Sequence, residues 1–554
     1  MKNYIFTLIM VFAASSYAQD YDKKFHEADS LVYAETDTIA NARKGYELYR
    51  ELYVDVPEKV SFWHLYDMAY AANKFNDPET GFYWLNKILK EKYKEQDLRM
   101  IFKYATSDFY NLQESHKWES FRKKVERKIE TYQNELKAQQ REWMQEGLGS
   151  ANYAALDKGK DLYQAIRDFE DYPSLPSEVF GFIKVNDTLD NNFFVRLPKS
   201  YNPKQPNKLL FFLNGAVRHQ QIPAYPNTEL EEGWQRFYKQ YAEENQVIMV
   251  YPNSNKEFNW MLGDQGFGMV TEILKTLKQF INIDDNAVFV TGHSNGATGS
   301  FNLLVKNPSA FAGFYGMNTQ PKVYTGGTFL KNMNQRSFYN ISTDEDYYFP
   351  PKANDTLVKL AEKQNLKYLD HRIKGFPHWF PQFPESEEPV RNVFKDLKQQ
   401  KRNPFSAQLY WECDDIANGK IDWLAIKKLD TLQPKKDWHQ EVNFTIHEKK
   451  YYDDNDSLRT KKVNEEAFDF PRKSGAVKAN YKDNVFRIQT SRVSELSVFI
   501  SPKMVDMNQP ISIYVNGELR YQKKPTYDRD FILKNFKKYY DRKAVWVEEV
   551  RLDL

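Results

Sequence analysis

A chain of 554 residues has room for roughly three or four domains, and its 41% apolar and 16% aromatic content excludes disorder along the whole chain. Lys+Arg (78) and Asp+Glu (76) nearly cancel, leaving a net charge of +2. That excludes a nucleic-acid binder driven by bulk charge, which needs a surplus of cations to displace counterions. The single cysteine, Cys413, can form neither an intrachain disulfide nor a zinc site made mainly of thiolates.

Met1-Lys2-Asn3 is a short cationic start, Tyr4 to Ala14 is mostly apolar, and Ser16-Tyr17-Ala18 offers small residues. This pattern predicts a secretory signal peptide, residues 1–18, cut after Ala18. The run is too short to cross about 30 Å of hydrocarbon, and no later stretch reaches ~18 apolar residues, so no membrane span is expected. Export without paired cysteines points to a secreted or periplasmic bacterial protein.

Residues 19–172 have helical apolar spacing. Trp118, Phe121, Val125, Ile129, Tyr132 and Leu136 step by three or four along one helix face, and Arg122, Lys123, Lys124, Arg127 and Lys128 read as its solvated side. Asp77-Pro78 predicts an N-cap followed by Pro at the first helical position. Met68 to Leu89, with the small residues Ala69, Ala71 and Ala72, resembles a tetratricopeptide-type hairpin, although three clean repeats are not found and a plain bundle fits nearly as well. Such a domain could bind a protein partner or shape the mouth of a site.

Asp171-Tyr172-Pro173-Ser174-Leu175-Pro176 reads as a linker. Beyond it, over 177–402, short apolar runs alternate with helical segments. The runs are Phe193–Leu197, Leu209–Leu213, Val247–Tyr251, Ala287–Thr291, Phe311–Tyr315, Ser337–Ile341 and Leu366–Ile373. This alternation predicts a mostly parallel sheet with crossover helices. After Lys401-Arg402-Asn403-Pro404, Val477/Ala479/Tyr481, Leu496/Val498/Ile500 and Ile511/Ile513/Val515 alternate with period two, and Asn516-Gly517 is a turn signal. Residues 403–554 are therefore expected to form an antiparallel β-domain, a sandwich.

Gly292-His293-Ser294-Asn295-Gly296 falls between a predicted strand and a predicted helix. Glycines flank a serine in this way where a strand-to-helix turn is too tight for side chains and pushes the hydroxyl out at the sheet's carboxyl edge. A serine needs a base, and in this arrangement the chain order is Ser, acid, His. Of the later histidines, His439 and His447 fall in the β-domain and His371 lies inside a predicted strand, where it reads as a packing residue. His378, in the loop Gly375-Phe376-Pro377-His378-Trp379, stands where the base belongs. Asp344, Glu345 and Asp346 follow the preceding strand, and spacing does not choose among them.

Taken in order, these segments resemble a secreted α/β-hydrolase of the polyhydroxybutyrate depolymerase and feruloyl-esterase type, related to the prolyl oligopeptidase catalytic domain. The resemblance rests on Phe194-Val195-Arg196-Leu197-Pro198, Leu209 to Gly215, Ile283-Asp284, the Ser294 turn, Asn307 to Gly313, Ile341 to Pro350 and His378-Trp379. It implies Asp346, four residues before Pro350, as the acid. It also implies backbone oxyanion donors at Ala216 and Asn295, although Asn214-Gly215 stands where relatives carry His-Gly. The implied activity is hydrolysis of carboxylic esters through an acyl-enzyme. The sequence carries no Walker loop, Rossmann fingerprint or His-Glu-x-x-His spacing, so no cofactor or metal is expected, and its balanced charge predicts no nucleic-acid partner. The alternatives are a prolyl oligopeptidase-like peptidase, whose usual β-propeller is replaced here by helices, and a non-catalytic scaffold. Trp260 and Trp379 fall on loops at the ligand-binding edge. Either could line an aromatic pocket suited to aryl or short-acyl esters, carbohydrate-linked ones among them, or could anchor its loop to the core.

Overall fold

The computed structural model describes residues 21–34, 38–93, 95–185, 190–217, 231, 233–261, 263–470 and 472–554. The expected signal peptide lies outside them. Among the described residues no helix is long and apolar enough to cross a membrane.

The chain forms two compact units, Met1–Ala138 and Gln139–Leu554. The first is helical. Helices Phe62–Lys74 and Pro78–Lys90 pair across a tight turn, where Asp77 accepts the Thr80 amide at 3.1 Å and Pro78 opens the second helix. Ala69, Ala71 and Ala72 are buried. In the helix Lys117–Glu146 the buried positions are Phe121, Val125, Ile129 and Leu136, four of the six on the expected stripe, while Trp118 and Tyr132 are half-buried.

The division falls inside that helix, displaced from the boundary expected near 172–176. Leu148, Tyr153, Leu162, Ile166 and Tyr172 share one buried core with the C-terminal strands. Arg529 donates to the carbonyls of Ala154 and Leu156 at 2.8 Å each. Helical periodicity marks an apolar face without saying which core it serves.

The second unit is built around an eight-stranded sheet. Its strands are β1 (Glu178–Lys184), β2 (Asp190–Arg196), β3 (Asn207–Leu213), β4 (Val247–Pro252), β5 (Ile283–Gly292), β6 (Gly313–Met317), β7 (Phe338–Glu345) and β8 (Tyr368–Pro377). Their order is β1-β2-β4-β3-β5-β6-β7-β8. β2 is antiparallel to both its neighbours, β1 and β4, and β3 through β8 are parallel to one another. Both faces are covered, which is why the central strands are near-continuous apolar runs. Helices α1 (Arg236–Asn245) and α5 (Glu387–Gln399) pack on one face. Helices α2 (Gly263–Lys278), α3 (Asn295–Lys306) and α4 (Pro351–Lys363) pack on the other. β1 is absent from the sequence expectation because Gly181 interrupts its apolar alternation. That glycine is required, since a Cβ there would stand 2.2 Å from the Phe193 ring.

The C-terminal strands make two sheets facing one core. One holds β9 (Gln408–Cys413), β14 (Gly475–Lys482), β15 (Val485–Ser491), β17 (Ile511–Val515) and β18 (Glu518–Lys523). The other holds β10 (Lys420–Ile421), β11 (Leu424–Leu429), β16 (Val493–Ile500) and β19 (Glu548–Asp553). The expectation of a purely antiparallel domain is corrected at one pair, because β15 and β17 are parallel. The chain passes through β16 in the opposite sheet between them, and such a crossover returns a strand in its original direction. Asn516 and Gly517 both have positive φ, 52° and 93°, the geometry of a two-residue hairpin turn. A separate hairpin, β12 (Thr445–Tyr452) with β13 (Leu458–Glu466), stands apart from both sheets.

Candidate active site

β5 ends at Gly292 and α3 begins at Asn295, leaving His293 and Ser294 to turn the chain. Ser294 sits at φ 57°, ψ −120°, a strained conformation for a side-chain-bearing residue. Two close approaches force it. A Cβ at Gly292 would meet the Leu213 carbonyl at 2.6 Å, and one at Gly296 would meet it at 1.8 Å. The Ser294 amide donates to the Met317 carbonyl at 3.0 Å, and the side chain remains partly exposed.

The structure brings Ser294, His378 and Asp346 together from three loops. His378 Nδ1 lies 2.7 Å from Asp346 Oδ1, and His378 Nε2 lies 2.8 Å from Ser294 Oγ. An ionised carboxylate can only accept, so Nδ1 carries the proton and Nε2 is left to accept from the serine hydroxyl. His378 and Asp346 are buried, and Asp346 Oδ1 also accepts the Tyr348 amide at 2.8 Å. Asp344 points elsewhere: its carboxylate accepts the Gly375 amide at 2.7 Å.

The strand order, the antiparallel β2 and a serine on the turn between β5 and α3 together decide the architecture. The fold is that of an α/β-hydrolase. No protein-family profile matches the chain, and no curated protein does. Among solved structures it is similar to a thermostable esterase at 18% identity, TM-score 0.34, over 41% of this chain and 64% of the other. It is similar to a ferulic acid esterase at 13% identity, TM-score 0.33, over 40% and 98%. A third is Porphyromonas gingivalis dipeptidyl peptidase 4, at 11% identity, TM-score 0.33, over 43% and 37%. The chain thus spans less than two thirds of the thermostable esterase and of the peptidase.

In this hydrolase fold Ala216 follows β3 in the left-handed region, at φ 56°. A Cβ at Gly215 would stand 3.1 Å from Ser294 Cβ, so the loop runs against the serine turn. Asn214 Nδ2 donates to the Gly215 carbonyl at 3.0 Å. Asn295 opens α3, where the first amides have no intrahelical acceptor. Its side chain donates to the Tyr348 hydroxyl at 2.8 Å.

Two expectations are corrected here. Trp260 is fully buried in the main core and does not line a pocket; its ring fills the space beside Gly299, where a Cβ would be 2.3 Å from it. His371 is exposed on β8 instead of packed. Trp379 is half-buried and stacks on Tyr452 at 5.7 Å. His439 is buried away from Ser294, between Ser491 at 2.9 Å and Glu412 at 2.8 Å.

The sequence reading also lacks two residues that hold His378 in place. Asn318 Nδ2 donates to the His378 carbonyl at 2.7 Å, while its Oδ1 accepts the Thr343 amide at 3.0 Å. It therefore ties the His378 loop to β7, the strand that leads into Asp346. His293 lies 2.8 Å from the same carbonyl through Nε2, and since a carbonyl only accepts, Nε2 carries the proton. Burial, with His378 beside it, pushes the His293 pKa down to about 3, so its ring stays neutral in ordinary buffers. His293 is visible in the Gly-x-Ser-x-Gly motif, whereas Asn318 has no local signal. If His378 acts as the base, replacing Asn318 with leucine should lower kcat on the order of 10²-fold through misplacement of the imidazole, with KM little changed. A KM rise at constant kcat in steady-state assays would contradict that role.

Proposed function

We propose that this protein is a serine hydrolase of carboxylic esters. The reading is carried by the hydrogen-bonded series from Ser294 through His378 to Asp346, on a strained turn at the carboxyl edge of an α/β-hydrolase sheet. Ser294 Oγ attacks the acyl carbon as its proton passes to His378 Nε2. The bond to the alcohol oxygen then breaks, and His378 delivers the proton to the departing oxygen. Water adds to the acyl-enzyme, gives its proton to His378, and Ser294 leaves with it as the carboxylic acid is released. Amides of Ala216 and Asn295 receive the developing oxyanion. Export to the periplasm or exterior is part of this reading and rests on the first 18 residues.

A fluorophosphonate probe tests the site and a substrate panel tests the chemistry. Ser294 should be the labelled residue, and kcat/KM should rank aryl and short-acyl esters above long-chain lipids and peptide amides. A clear preference for peptide amides would replace the esterase reading with the peptidase one.

A further inference from the structure

The β12–β13 hairpin belongs by sequence to the C-terminal region, yet one of its faces is fastened to the loops that carry Asp346 and His378. Ile446 shares a small buried cluster with Phe349 and Ala353, which follow the acid loop, and with Ala467. Glu448 pairs with Lys352 at 2.7 Å. Lys450 donates to the Asp344 carbonyl. Tyr452 stacks on Trp379, next to the base, and meets Tyr347, next to the acid, edge-on at 5.6 Å. Positions 446, 448, 450 and 452 differ by two, so one strand face makes every contact.

The chemistry says what this face confronts. In acyl transfer the departing oxygen takes its proton from the base, so the leaving group must lie against whatever flanks His378. Tyr347 flanks that imidazole, with ring centroids 5.0 Å apart, and is 41% exposed. From Tyr347 the aromatic surface continues to Tyr452 and Trp379, both half-buried. Each of these rings carries a polar edge, a phenol hydroxyl or an indole N–H. A pyranose, with apolar C–H faces and a hydroxyl-bearing rim, uses both the ring faces and the polar edges; a phenyl group uses only the faces, and a methyl group reaches neither.

We propose that Tyr452 is a specificity-determining residue, the outer wall of a leaving-group site that the C-terminal hairpin completes, and that the alcohol it receives is a sugar ring. This rests on the reading of Ser294, His378 and Asp346 as an acyl-transfer site. The test holds the acyl group constant as acetate and varies the alcohol among methanol, phenol and a methyl pyranoside, with each variant of the full chain compared with wild type on each ester. Tyr452→Ala should lose about tenfold in kcat/KM on the acetylated pyranoside, through KM, and less than about threefold on methyl acetate. Tyr452→Phe, which keeps the ring, should retain most of the selectivity. Tyr451→Ala, on the opposite face and 47% exposed, should not alter it. Equal losses on all three esters, or no loss on any, overturn the proposal, and a loss on phenyl acetate alone overturns the sugar assignment. If wild-type Ser294 takes no fluorophosphonate, the acyl-transfer reading itself fails and takes this inference with it. Labelled wild type with unselective Tyr452→Ala defeats only the inference.

Discussion

Replacing Ser294 or His378 with alanine is expected to lower ester turnover on the order of 10⁴-fold or more while the fold is retained. The two changes together should cost little more than either alone, because nucleophile and base act as one unit. Asp346→Asn should be nearly as severe. An amide facing His378 Nδ1 can present its NH₂ and so favour the wrong tautomer, leaving Nε2 protonated and unable to accept from the serine. Asp344→Asn should be mild, because the amide oxygen can still accept the Gly375 amide. Steady-state kinetics on a short-acyl ester, with circular dichroism to check folding, separates these outcomes. A crippled Asp344→Asn beside a mild Asp346→Asn would move the acid two residues.

Arg402→Ala is expected to destabilise the second unit by about 3–5 kcal/mol, the scale for breaking a buried ion pair from one side. Arg402 contacts Asp541 through two nitrogens, at 2.6 and 3.0 Å, where the hydrolase region meets the C-terminal strands. Lys278 stands 3.8 Å from the same carboxylate and 2.6 Å from Asp285. Removing the guanidinium leaves Asp541 buried with one distant cation. Burial by itself would raise the Asp541 pKa, but Arg402 and Lys278 outweigh it and hold the carboxyl well below the usual range. A carboxylate depressed in the folded state contributes stability that is present above its unfolded pKa, about 4, and is lost as pH falls below that. Wild type should therefore lose stability from about pH 4 downward, and Arg402→Ala should show a shallower loss over the same range. Urea denaturation across that range reads both effects. An Arg402→Ala variant as stable as wild type would mean that this ion pair does not contribute to joining the two regions, leaving that to the other buried contacts such as Arg336 with Asp422 at 2.8 Å.

Much of the fold and of the candidate site is legible in the residues themselves, and the reasons are local. The Gly292-to-Gly296 turn announces itself because only glycine tolerates the backbone of β3 pressed against it. The apolar runs of β3, β4 and β5 announce a covered parallel sheet because both their faces need apolar partners. The position of His378 follows from chain order and its loop. Asp346 was another matter: three carboxylates stand within three residues, and it is the hydrogen bond to Nδ1 that singles one out. Trp260 illustrates the limit from the other side. A tryptophan on a loop at a sheet's carboxyl edge can face a ligand or the core, and only the packing against Gly299 tells which.

By itself, then, the amino-acid sequence determined the character of each segment: a helical start, alternating strands and helices, period-two strands at the end, and a serine on a glycine-flanked turn. Those properties depend on neighbours within a few residues, where periodicity and backbone sterics act. Which core residues 139–172 would join, which way β17 would run, how Asn318 would tie two loops together and where Tyr452 would come to rest were decided only by tertiary structure. Each depends on contacts between segments tens to hundreds of residues apart, and the alternation that marks Tyr452 as facing something carries no information about what it faces.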